Sequence, residues 1–170
     1  MSEVAAPRLL SRRRLGERLG GFVYGTILVL SVIVAGAKAF PHSPGRLAVL
    51  VVVTAGVFWL AHVYADALGW SVGHETHLSL AELRQRARHE ASILEACVPS
   101  VAALLLGAFG VLSDATAAWL ALGVGLGLLF VIGIVFARVE KLGVLGATLA
   151  VLANLALGGS LILLKVLVAH

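Results

Sequence analysis

The sequence has 170 residues, 60% of them hydrophobic and only 13% charged, and its mean hydropathy is +1.02. A soluble globular domain carries about 25% charged residues, so this composition excludes that class and points to an integral membrane protein. The formal charge of +4 does not indicate a nucleic-acid partner, because the basic residues flank apolar runs, as topology signals and headgroup contacts do.

Nineteen glycines and four prolines suit helices that approach closely in lipid through small residues. The single cysteine, Cys97, excludes an intrachain disulfide and any multi-cysteine metal or redox motif.

Residues 1–19 carry Arg8, Arg12, Arg13, Arg14 and Arg18 and read as a basic cytoplasmic tail or a short interfacial helix. Ser11-Arg12-Arg13-Arg14-Leu15 is similar to a twin-arginine export signal. The apolar run behind it is long enough to span a bilayer and is followed by further spans, which favours a retained first helix. That first span covers residues 20–40, with Gly21 and Gly25 in a G-x-x-x-G pair. Pro41-His42-Ser43-Pro44-Gly45 then turns the chain back.

The second span, residues 47–70, is the one span with ionisable side chains at helical spacing inside its apolar run. His62 and Asp66 are four residues apart and share a face, continued by Trp59 and Trp70. Ionisable residues inside a span are costly, so they are functional candidates by default. A histidine beside a carboxylate can pass a proton, bind a cation or join two helices. His62 and Asp66 are therefore the candidate ion or proton site.

Residues 71–93 form a cytoplasmic helical insertion. Ser79 and Glu82 have capping-box spacing, which predicts a helix from Leu80. Leu80, Leu83, Ala87, Ala91, Leu94 and Val98 recur as an apolar stripe, flanked by Arg84 and Arg88 as contacts for a partner or an anionic membrane surface. His74-Glu75-Thr76-His77 falls one residue short of the zinc-protease spacing. With Glu90 and Glu95, His74 and His77 could still supply nitrogen and oxygen ligands to a divalent cation.

The third span, residues 94–112, is expected to kink near Pro99. Ser113 or Asp114 caps the fourth span, residues 115–137, which has no charge and several glycines. The fifth, residues 142–168, carries Asn154 as a candidate interhelix hydrogen-bond partner. The fold expected is all-α: a polytopic membrane helix bundle of five transmembrane helices plus one cytoplasmic amphipathic helix, with residues 20–170 forming a single domain.

Ten of the thirteen Lys and Arg residues fall in the tail, the insertion and the turn at residues 138–141, leaving Lys38, Arg46 and Lys165 on the other side. The positive-inside rule then places the amino terminus in the cytoplasm and the carboxyl terminus outside, in a bacterial inner membrane. In this layout, the charged helix before Pro99 and the alanine-rich third span resemble the vacuolar iron transporter type of membrane protein. That resemblance implies five spans, a charged insertion after the second and a divalent-cation cargo. The first span here has no acid, Met1 is the only methionine, and the insertion offers Glu82, Glu90 and Glu95. The chain also resembles small integral membrane proteins of bacteria with alanine-, glycine- and valine-rich proteomes, a likeness that implies no activity.

The sequence thus predicts a membrane protein that moves or senses a small cation or proton through His62 and Asp66, with the lipid bilayer and further copies of itself as partners. The alternative is a non-transporting subunit or scaffold that docks a partner through its cytoplasmic helix. No nucleophile stands beside the histidine and carboxylate, so no enzyme is expected, and no cofactor is indicated.

Overall fold

The computed structural model describes residues 5–74 and 79–169. Seven helical segments form among the described residues: α1 (Ala5–Ala39), α2 (Pro44–His74), α3 (Leu80–His89), α4 (Ala91–Glu95), α5 (Val98–Ala108), α6 (Asp114–Val139) and α7 (Val144–Ala169). The fold is an all-α bundle in which α1, α2, α6 and α7 each contain a stretch long and apolar enough to cross a membrane. A fifth crossing exists if the bent run through α3, α4 and α5 counts as one.

α1 does not begin at the end of the basic tail; it is already helical at Ala5. Arginine is a good helix former, and charge outside the hydrocarbon does not oppose helicity. The uncharged part of α1 lies between Arg18 and Lys38, twenty residues and about 30 Å apart, the thickness of a hydrocarbon core. On α2, Arg46 and Asp66 are also twenty residues apart, so both helices carry polar belts at matching separations. α2 turns Val49, Val53, Val57, Leu60, Tyr64 and Leu68 outward in an exposed stripe, the face that meets lipid.

α6 is the central helix and packs against α1, α5 and α7. The core gathers Leu30 and Ile33 of α1, Leu47 and Val51 of α2, Leu104 of α5, and Leu122 and Leu129 of α6. Helices in lipid gain little from hydrophobic exclusion, so close approach decides their packing. The Gly21 and Gly25 pair supplies it: a Cβ on Gly25 would stand 2.8 Å from the Ile93 carbonyl oxygen and 2.9 Å from Ala96 Cβ. Gly133 likewise admits Val151 of α7, and Asn154 Nδ2 donates to the Leu129 carbonyl at 3.3 Å.

The third crossing differs most from expectation. α4 ends at Glu95 and α5 begins at Val98, with a 49° bend between the two helical runs. Pro99 stands in the first turn of α5, where a missing N–H costs nothing. At its other end α5 stops at Ala108, because Gly110 takes φ +73° and Ser113 caps α6 by accepting from the Thr116 amide. Eleven residues reach about 16 Å, so α5 depends on α4 to complete a crossing.

Candidate functional site

One cluster of polar residues gathers where α3 packs against α2 and reaches α1 through His89. The strap starts at the expected capping box: the Ser79 amide donates to Glu82 Oε2 at 2.8 Å, and the Glu82 amide donates to Ser79 Oγ at 3.3 Å. The Ser79 amide, foremost, and the Ser79 hydroxyl, which donates to the same Oε2 at 2.8 Å, hold the Glu82 carboxyl below its ordinary value of 4.5. A lowered folded value means that the cap contributes fully above the unfolded value and is lost as pH falls through the lower folded one. The Ser79 amide resonance is therefore expected to titrate with a midpoint below 4.5, and Glu82→Gln is expected to abolish that titration.

α3 is rotated from the orientation that its apolar stripe implies. Leu80 is 85% exposed, no residue of α3 is buried, and Arg86 points at the bundle. The polar needs of α2 account for this rotation. Arg86 Nη1 donates to Asp66 Oδ2 at 2.5 Å and to the Asp66 carbonyl at 3.3 Å, while its guanidinium lies 5.2 Å from the centroid of the Trp70 ring. Trp59 Nε1–H donates to the Ala87 carbonyl at 3.0 Å. Beside the bilayer surface the apolar face of a helix can remain outward, so hydrogen-bond satisfaction decides which face turns in.

His62 and Asp66 share the α2 face as their spacing requires, but they are not partners. His62 packs against Tyr24 of α1, ring centroids 4.9 Å apart, and its Nδ1 lies 2.9 Å from the Phe58 carbonyl one turn back. A carbonyl only accepts, so Nδ1 carries the hydrogen and Nε2 is the lone-pair nitrogen of the neutral ring. Asp66 belongs to Arg86, in a half-open polar cavity of about 410 Å³ lined by Asp66, Trp70, Glu82, Gln85, Arg86 and His89.

His89, which the sequence alone did not single out, joins three helical segments. Its Nε2 donates to Glu17 Oε2 of α1 at 2.9 Å, and its Nδ1 stands 3.8 Å from Glu90 Oε1 at the head of α4. Arg18 closes the same belt by donating to Glu95 at 2.8 Å. The one available signal was the Glu17-Arg18 pair of opposite charges, set in a stretch read as tail.

Of the metal candidates, Glu95 is engaged by Arg18 and Glu90 faces His89. His77 and the His74 side chain lie outside the described residues. Among the described residues, no three His, Cys, Asp or Glu side chains gather to hold a metal ion. Arg84 and Arg88 are exposed, one turn apart on the outer side of α3.

Four to five apolar crossings joined by a polar strap define an integral membrane helix bundle in contact with a lipid bilayer. Comparison with known protein families, curated proteins and solved structures returns no match.

Proposed function

We propose that this is a bacterial inner-membrane protein that senses protons, or a small cation in their place, where α3 is latched to α1 and α2. The observation that carries this reading is the His89 ring, set between carboxylates on two other segments and sharing a cavity with Asp66 and Arg86. Nε2–H of His89 donates to Glu17, while Glu90 stands 3.8 Å from Nδ1, within ion-pair reach of a protonated ring but beyond hydrogen-bond distance. Histidine is the side chain that changes charge between about pH 5 and 8. The groups facing it are Glu17 on α1, Glu90 beside it, and Asp66, Glu82 and Arg86 across the cavity.

In this reading the amino terminus and the strap are cytoplasmic, as the distribution of Lys and Arg implies. Gly123 and Gly127 on α6, with open space beside them, would serve contacts between copies. His62 extends the polar line one turn deeper, and ion movement would run through it.

The test is the full chain in vesicles, with a spin label on α3 and a proton-sensitive dye inside. Label mobility that rises from pH 6 to 8 in the native chain, is flat in His89→Gln, and occurs without proton flux supports sensing. Flux that disappears in His62→Ala and Asp66→Asn replaces sensing with transport. A strap that is static at every pH removes both the latch and its signal.

A second reading rests on Leu80, Arg84 and Arg88, which lie along one exposed line of α3. These residues would dock a partner subunit. Co-purification of a stoichiometric partner, lost on reversing both arginines, favours that function.

A further inference from the structure

At the end of the bundle away from the strap, a cavity of about 540 Å³ opens between α1, α2, α6 and α7. This volume falls in the range of about 300–1,000 Å³ typical of small-molecule sites. We propose that it holds one acyl chain of a phospholipid whose headgroup carries both a phosphate and a primary ammonium.

The shape of the cavity follows from two helix faces. On α1 it is lined by Ser31, Val34, Ala35 and Lys38, and on α6 by Asp114, Ala115, Ala118 and Trp119. Ser31 and Lys38 are seven residues apart, so the slot runs about 10 Å along the helix axes, the direction in which an acyl chain lies. Small side chains open the slot: Ala35, Ala115 and Ala118 leave room between helices that otherwise interlock. Ser31, the polar residue at its inner end, donates its hydroxyl hydrogen to the Leu28 carbonyl at 2.7 Å and presents no unmet need to the ligand. The rest of the inner wall is apolar and includes Leu47 and Leu161.

Among the described residues, charge lines the cavity at its outer end alone, and with both signs. Lys38 and Asp114 stand there together, at the level where the hydrocarbon core gives way to headgroups. Lys38 has an interaction within the protein, yet an ammonium with three donors can serve a phosphate as well. The Asp114 carboxylate has His42 Nδ1 3.9 Å away, beyond hydrogen-bond distance, and can accept from a headgroup ammonium. An anionic lipid without an ammonium would satisfy Lys38 and be repelled by Asp114. This pairing of signs selects the zwitterionic headgroup.

The experiment is native mass spectrometry of the full chain released from nanodiscs of equal parts phosphatidylethanolamine and phosphatidylglycerol. Retention of phosphatidylethanolamine is expected to exceed that of phosphatidylglycerol about tenfold, the ratio expected from one charge-assisted hydrogen bond. Asp114→Asn is expected to reduce the ratio to near one. Ala118→Phe, which fills the slot, is expected to abolish retention of both lipids, and Ala35→Leu provides the same test should the phenylalanine variant not fold. Equal retention of the two lipids by the native chain overturns the headgroup assignment. Undiminished retention by a monodisperse slot-filling variant overturns the site.

Discussion

Gly25→Leu is expected to separate α4 from α1 and to lower the stability of the bundle by about 3 kcal/mol or more, near or beyond the upper end of the cost of overpacking. The reason is geometric: any Cβ at position 25 comes within 3 Å of the Ile93 carbonyl and the Ala96 methyl. The carbonyl is backbone, so no rotamer change relieves the contact. Gly25→Ala is expected to cost less, about 1–2 kcal/mol, because it adds the Cβ that meets Ile93 and Ala96 without the further bulk of leucine. Gly20, on the same helix with nothing within 4 Å, is the control. Gly20→Ala is expected to leave stability unchanged or slightly raised, since alanine is the better helix former. Thermal unfolding of the detergent-solubilised protein, read by tryptophan fluorescence, orders the three variants. Equal melting temperatures for Gly25→Leu and Gly20→Ala would show that α4 does not rest on α1.

The spans and the way they touch were unequally legible in the sequence. Apolar runs bounded by Arg18 and Lys38, or by Ser113 and Arg138, announce crossing helices, because bilayer thickness converts directly into residue count. The G-x-x-x-G of Gly21 and Gly25 marked a close approach but not its partner. That partner is α4, a five-residue segment whose shortness no periodicity shows. The bend before Pro99 was visible in kind, since proline restricts the residue before it. Its form, two helices joined through Ala96 and Cys97, depends on where α4 must lie to meet Gly25.

The site was legible only within each helix. Spacing placed His62 and Asp66 on one face, and they occupy it. Their partners, Tyr24 and Arg86, come from different helices and cannot be read from spacing along α2. The orientation of α3 escaped for a related reason. Hydropathy assumes that apolar residues seek the protein interior, whereas beside a bilayer Leu80 can stay outside and Arg86 can turn inward to Asp66 and Trp70. Glu17 escaped because arginine-rich sequence lowers hydropathy while leaving helicity intact, so the basic stretch that reads as tail is the start of α1.

Arg86→Ala is expected to destabilise the strap by about 1–2 kcal/mol, and its effect is expected not to add to that of Asp66→Ala. The Arg86 side chain is 18% exposed and the Asp66 side chain 49%, so the pair is neither fully desolvated nor freely solvated. A fully buried pair loses about 3–5 kcal/mol when one member is removed, and an exposed pair loses at most about 1 kcal/mol. The half-open cavity places this one between those limits. Asp66→Ala leaves a mostly buried guanidinium with the position-66 carbonyl, the Trp70 face and the more distant Glu82 charge, whereas Arg86→Ala leaves a carboxylate that water can reach. The aspartate variant is therefore expected to cost more than the arginine variant. Arg86→Lys is expected to rescue only partly, because an ammonium cannot reproduce a guanidinium that donates to a carboxylate and a carbonyl while lying over an indole. Hydrogen exchange across α3 measures the loss locally, and the double-mutant cycle isolates the pair. A coupling energy near zero would mean that the contacts of Trp59 and His89 hold the strap without this pair.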